Sequence, residues 1–131
     1  MSRWQVSSNT VHNVAYHIIW CPKYRRPVLV GAVKERLKEL LVMIGDDIGA
    51  SIETMEIMPD HIHLFVRSHP GNAIHYVVQQ FKGRTSRILR QEFDRLRTRI
   101  PTLWTRSYYV ETVGHISEDV VRKYIEDQKN A

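Results

Sequence analysis

Glu56-Ile57-Met58-Pro59-Asp60-His61-Ile62-His63-Leu64-Phe65-Val66 decides the fold. Side chains on a strand reverse sides at every residue, so His61 and His63 share one face while Ile62 and Leu64 share the other. Met58-Pro59-Asp60 reads as a tight turn, which makes residues 50–57 one strand and 61–67 its antiparallel return. Two imidazoles on one face suit a divalent ion, whereas adjacent histidines would point apart. The plainer reading, histidines that are solvated or merely packed, stays open on this motif alone. Asp60 is a candidate to orient an imidazole through a hydrogen bond, although Pro-Asp is also ordinary turn chemistry.

Outward from the hairpin, residues from Gly31 onward carry a helical stripe of Val33, Leu37, Leu40, Leu41 and Ile44 that ends near Gly45 or Gly49. Before it, residues 11–21 are β-branched and aromatic and read as a strand, on which His17 is a third histidine that either approaches the site or lines the sheet, the second being favoured. Residues 1–10, with Trp4 their only large apolar group, read as a loose lead-in. After the hairpin, residues 68–72 break the strand. A long helix follows with Ile74, Val77, Val78, Phe81, Ile88 and Leu89 inside, and Gly83 as a candidate close-approach point. A break at 97–101 leads to a last strand over 103–113, then Gly114 and His115 as a hinge, then a terminal helix with Ser117 as N-cap. The order β-α-β-β-α-β-α predicts an α+β fold: a ferredoxin-like antiparallel sheet (β-α-β-β-α-β) with an additional C-terminal helix.

At 131 residues there is room for one domain, 1–131. No apolar run approaches the roughly 20 residues of a membrane span, and no signal segment is evident, so the expectation is a soluble, cytoplasmic protein without membrane contact. The single cysteine, Cys21, excludes an internal disulfide and reads as a small apolar residue. The charge is concentrated: residues 71–106 hold eight Lys or Arg against two acidic residues, +6 in a chain whose total is +5. Such a patch points to a phosphate backbone, with a solvated arginine-rich helix face as the alternative. The candidate DNA contacts are Lys82, Arg84, Arg87, Arg90 and Arg106, joined by Arg25 and Arg26 of the turn at 22–27. Tyr24, Trp104 and Tyr108 are candidates to stack exposed bases.

Tyr124 and Gln128 lie four residues apart on the terminal helix and therefore share a face. A phenol and a side-chain amide so placed are candidates for a nucleophile and an oxygen ligand at one ion. Packing on the inner stripe of a terminal helix is the simpler use of a tyrosine.

Together, His61-Ile62-His63, the Phe81-Lys82-Gly83 helix, Trp104-Thr105-Arg106-Ser107-Tyr108-Tyr109 and Lys123-Tyr124-Ile125-Glu126-Asp127-Gln128 are more specific than any one alone. From about His12 to Gln128 the sequence resembles the small single-tyrosine transposases of the IS200/IS605 group, in the HUH endonuclease superfamily. The resemblance implies a single-stranded DNA transposase that cleaves and rejoins element ends through a 5′-phosphotyrosine on Tyr124, leaving a free 3′-hydroxyl. It implies Mg²⁺ or Mn²⁺ at His61, His63 and Gln128, recognition of imperfect end hairpins, and a homodimer with shared active sites. Residues 115–131 are then a mobile catalytic helix. Two other classes remain: a noncatalytic ferredoxin-like single-stranded nucleic-acid-binding module, which covalent attachment to DNA would exclude, and a metal phosphodiesterase using activated water, which would tolerate loss of Tyr124.

Overall fold

The structure, a computed structural model, describes residues 5–6, 11–12, 14–69, 71–112 and 118–130. Trp4, Gly114, His115 and Ser117 lie outside the described residues, and with them the expectations for the lead-in, the hinge and the N-cap. The strands are β1 (Gln5–Val6), β2 (Val11–His12), β3 (Val14–Trp20), β4 (Ala50–Met58), β5 (His61–Ser68) and β6 (Tyr109–Thr112). The helices are α1 (Gly31–Ile48), α2 (Ile74–Glu92), α3 (Asp94–Thr98) and α4 (Glu118–Asp127), with 3₁₀ turns at Lys23–Arg25 and Gln128–Asn130.

Four strands form an antiparallel sheet in the order β4-β5-β3-β6, the ferredoxin-like arrangement. The alternation of β5 is realised without a slip: Ile62, Leu64 and Val66 are fully buried, while His61, His63, Phe65 and Arg67 are half-buried on the opposite face. Ile62 and Leu64 pair with Trp20 and Ile18, and this set meets Leu37, Leu40, Leu41 and Ile44 of α1 and Val77, Val78, Phe81 and Leu89 of α2 in one core. Trp20 anchors it, stacked on Phe81 and edge-on to Trp104. Truncating Ile62 to alanine removes buried contacts that the sheet and helices cannot close over, so thermal unfolding should report a loss of about 2–5 kcal/mol.

α1 ends at Gly49, whose φ of +78° places it in the left-handed conformation that glycine adopts at least cost. At Gly45 a Cβ would come within 2.5 Å of the Ala50 carbonyl oxygen, so the helix end sits directly on the start of β4.

The boundaries differ from expectation in four places. Residues 5–6 and 11–12 pair as a small antiparallel ladder, separate from β3. The long helix breaks at Phe93, which is extended, rather than at 97. The last strand begins at Tyr109, because Leu103, Trp104 and Thr105 are buried one after another, which a strand with one covered face cannot do. They are held instead by Lys23 N–H donating to the Leu103 carbonyl (2.8 Å) and Thr105 N–H donating to that of Cys21 (3.0 Å). Finally, a Cβ at Gly83 would meet nothing within 4 Å, so among the described residues no backbone from outside its own helix approaches Gly83 closely.

Candidate active site

The face of the sheet turned away from α1 and α2 carries His61 opposite Met58, His63 opposite Glu56 and Ile19, and His17 opposite Phe65 and Glu111. The hairpin turn sets Asp60 beside His61, and Asp60 Oδ1 lies 2.8 Å from His61 Nδ1. Arg25 Nε donates to the other carboxylate oxygen of Asp60 at 2.7 Å. Burial works to raise the Asp60 pKa, but the hydrogen bonds from His61 and Arg25 outweigh it and hold the carboxyl below its ordinary range. Arg25 reaches Asp60 from a turn in which Tyr24 and Arg25 have φ of 57° and 53°. Non-glycine residues there cost on the order of 1–3 kcal/mol each, a strain that the Arg25–Asp60 pair and the Leu29 N–H bond to the Pro59 carbonyl help to hold in place.

His63 is oriented differently. Its Nδ1 lies 3.1 Å from His17 Nε2, and the two rings stack with centroids 5.2 Å apart. His61 and His63 meet edge to face at 5.1 Å. Burial, then the neighbouring His61 and His17, push the His63 pKa down to about 4, so it is a neutral imidazole at physiological pH. Burial also lowers His17, against the pull of Glu111 and Glu56. A cleft of about 210 Å³ opens here, lined by His17, Thr54, Glu56, His63 and Phe65. With both Nδ1 atoms engaged, the Nε2 atoms of His61 and His63 remain for a ligand, the donor set that suits a divalent metal. Among the described residues, no group of three or more His, Cys, Asp or Glu forms a metal cluster.

His17 therefore belongs to this cluster rather than merely lining the sheet. The signal that would have found it is diagonal: His17 and His63 sit two positions apart across an antiparallel pair, on one face, within reach of each other.

On α4 and the turn after it, Tyr124 and Gln128 converge on one serine. Ser107 Oγ donates to Gln128 Oε1 at 2.9 Å and lies 3.2 Å from the Tyr124 hydroxyl, while Gln128 Nε2 donates to the Tyr124 carbonyl at 3.1 Å. The Tyr124 ring packs against that of Tyr109 at 6.0 Å. Burial pushes the Tyr124 pKa up to about 12, opposed only in part by hydrogen bonding with Ser107 and Thr105. Among the described residues, no hydrogen bond or ring contact joins Tyr124 or Gln128 to His61 or His63. Within one chain the structure pairs His61 with His63 and Tyr124 with Gln128, and it packs the Gln128–Asn130 turn against the Lys23–Arg25 turn, whose Arg25 holds Asp60 beside His61. Ser107 lies in the stretch 104–109 that carries the resemblance but has no role there from sequence alone, because in irregular backbone no periodicity points its side chain at α4.

The cationic candidates divide. Arg25 is committed to Asp60, and Arg84 pairs with Asp47 at 2.7 Å. Arg90 donates to the carbonyls of Leu96 and Ile100 at 3.1 and 2.9 Å, tying α3 and the following loop to α2. Lys82 donates to the carbonyls of Thr105, Arg106 and Ser107, and burial lowers its pKa to about 8. Trp104 is only 5% exposed, with its indole N–H donated to Thr85 Oγ1 and the Lys82 carbonyl, so it presents no face for stacking. That leaves Arg26, Arg87 and Arg106 exposed, with Tyr24 46% exposed. Arg106 and Tyr108 also line a cleft of about 400 Å³ with His75, Val78, Gln79, Lys82 and Gly83. No helix among the described residues is long and apolar enough to cross a membrane.

Known proteins resemble this chain in sequence and in fold. Residues 10–128 match the profile of the family described as "Transposase IS200 like". The ISDra2 transposase TnpA of Deinococcus radiodurans is 39% identical over 120 residues, covering 90% of this chain and 86% of that protein. The transposase for insertion sequence element IS200 of Salmonella typhimurium is 28% identical over 127 residues, covering 93% and 84%. A crystal structure of a Deinococcus radiodurans R1 protein described as a transposase superposes with a TM-score of 0.88 at 33% identity, covering 95% of this chain and 97% of that one. A REP-associated tyrosine transposase bound to a REP hairpin shares the fold alone, with a TM-score of 0.59 at 11% identity over 96% of this chain and 69% of that one. The match over residues 10–128, on a ferredoxin-like sheet that carries paired histidines and a terminal helix with its tyrosine, makes this chain a member of the IS200/IS605 family of single-tyrosine transposases, in the HUH superfamily.

Proposed function

We propose that the protein is a metal-dependent transposase that cleaves and rejoins single-stranded DNA at hairpin-bearing element ends, with Tyr124 as nucleophile. The observation that carries this reading is the state of the two histidines: each has Nδ1 engaged, by Asp60 or His17, which leaves Nε2 of both for one ion. His61 and His63, completed by Gln128, are the proposed holders of Mg²⁺ or Mn²⁺. When bound, the ion polarises the scissile phosphate and offsets charge on its oxygens.

Tyr124 gives up its phenolic proton to solvent as its oxygen attacks the phosphorus, forming an O–P bond as the P–O3′ bond breaks. The departing oxygen takes up a proton as a 3′-hydroxyl, and the 5′-phosphate stays on the tyrosine. Because the linkage remains a phosphodiester, a DNA 3′-hydroxyl can reverse the step without nucleotide energy, which suits strand transfer rather than degradation. The family resemblance suggests a homodimer in which the histidines of one subunit meet the tyrosine helix of the other, whereas the packing of the Gln128–Asn130 turn on the Lys23–Arg25 turn suits a site completed within one chain. The shared arrangement requires residues 115–131 to act as a mobile element.

Incubation with hairpin-bearing single-stranded DNA and Mn²⁺, followed by denaturing gel and peptide mass mapping, should yield a covalent adduct on Tyr124. DNA binding without an adduct or cleavage would instead identify a noncatalytic binding module, and cleavage leaving a free 5′-phosphate would identify an activated-water phosphodiesterase.

DNA contact is assigned to the exposed groups Tyr24, Arg26, Arg87 and Arg106, with Tyr108 in the neighbouring cleft. Neutralising Arg87 and Arg106 together should lower the salt slope of single-strand binding by roughly two, about one per phosphate contact, in fluorescence anisotropy. Arg90→Met should lower the melting temperature and leave that slope unchanged, since its guanidinium is spent on carbonyls of its own chain.

A further inference from the structure

We infer that His17 is a positioning residue for the metal site, accepting the Nδ1 proton of His63 and so holding His63 in the tautomer whose Nε2 can bind a cation. The inference rests on the reading of His61 and His63 as metal ligands and adds a residue to it.

A single hydrogen occupies the 3.1 Å gap between His17 Nε2 and His63 Nδ1 when both rings are neutral. If His17 were the donor, His63 would carry its own hydrogen on Nε2 and offer no lone pair to a metal. If His63 is the donor, its Nε2 lone pair is free and the His17 hydrogen moves to Nδ1. The surroundings favour the second arrangement. Glu111 stands opposite His17 on β6, and Glu56 stands opposite His63 on β4. Two nearby carboxylates favour an N–H at His17 Nδ1 over a bare lone pair there. That nitrogen is buried without a protein partner among the described residues, and a donor in that position can still be served by water or by a small shift of Glu111.

The pairing also mirrors its neighbour. Asp60, an acceptor whatever its surroundings, holds Nδ1 of His61 at 2.8 Å, so both histidines are presented in the same tautomer by different means. The ring stack at 5.2 Å and 22° adds a second constraint, fixing the His63 plane against β3.

The test uses the full-length protein with histidine labelled in ¹⁵N. Long-range ¹H–¹⁵N correlations in the absence of metal report the His63 tautomer, and calorimetric titration with Mn²⁺ reports affinity. Wild-type His63 should be protonated on Nδ1. His17→Phe keeps a stacking ring but no acceptor, so His63 should shift toward Nε2–H and Mn²⁺ binding should weaken by about 10–100-fold. His17→Gln, whose side-chain oxygen falls near the position of Nε2, should restore most of both. Wild-type His63 found protonated on Nε2, or His17→Phe binding Mn²⁺ as wild type does while His63→Ala loses binding, would overturn the role of His17 and leave the metal site standing. A folded His17→Gln protein as weak as His17→Phe would also count against an acceptor. Unchanged Mn²⁺ affinity in His63→Ala would overturn the metal site itself, and the inference with it.

Discussion

Tyr124→Phe should leave the protein folded and able to bind hairpin DNA while reducing adduct formation by at least about 10³-fold, the scale on which removal of a nucleophile acts in covalent enzymes. The substitution deletes one hydroxyl and keeps the ring that packs on Tyr109, so the melting temperature should move little near neutral pH. Alkaline pH separates the two proteins. The ordinary tyrosine value is 10 and burial raises Tyr124 to about 12, so between these values the folded state holds a proton that the unfolded state has lost. Stability present below pH 10 should therefore decline as pH rises through this window in the wild type, and the contribution of Tyr124 to that decline should be missing in Tyr124→Phe. Ultraviolet absorbance of tyrosinate and parallel thermal melts measure both. Cleavage persisting in the variant, or an adduct mapped to another residue, would exclude Tyr124 as nucleophile.

The second large effect is complementation. Tyr124→Phe and His61→Ala proteins should each be inactive alone, yet mixing equal amounts under conditions that reassort dimers should recover roughly a quarter of wild-type adduct, since half the dimers are mixed and each holds one complete site of two. His61 is held by Asp60 and Arg25, while Tyr124 and Gln128 are held by Ser107, so each half of the proposed site keeps its own supports in a mixed dimer. Recovery of nothing, with mixed dimers demonstrated by tagged copurification, would place both functions on the same subunit.

The histidine pair was legible because strand periodicity is local: Ile62 and Leu64 had to face the helices, so His61 and His63 had to face away. The helix from Gly31 and the hairpin turn at Pro59 and Asp60 were legible for the same reason. What residue counting could not supply was partnership across the fold. The arginine-rich run announced a phosphate surface, yet Arg84 and Arg90 are matched to Asp47 and to backbone carbonyls far away or around a helix break. Lys82 is likewise spent on carbonyls 23 to 25 residues away. Trp104 looked like a stacking platform until its indole was seen closing the core beside Trp20. His17 could be read as approaching the site or as lining the sheet, and residue counting could not decide, because its contact with His63 depends on the register of two strands 46 residues apart.

The hydroxyl of Ser107 has a further consequence, because it owns one hydrogen and stands between two side chains that would both use it. With that hydrogen pointing at Gln128 Oε1, Tyr124 must point its own at Ser107, giving a one-way chain from phenol to serine to amide. The chain has a polarity, and its far end is the atom proposed above as a metal ligand. Once Gln128 Oε1 is drawn away, the serine hydrogen is free to turn and point at the phenolic oxygen, where it favours the deprotonated form. Departure of the amide and sharpening of the nucleophile are then two ends of one reversal, carried by the rotation of a single O–H bond.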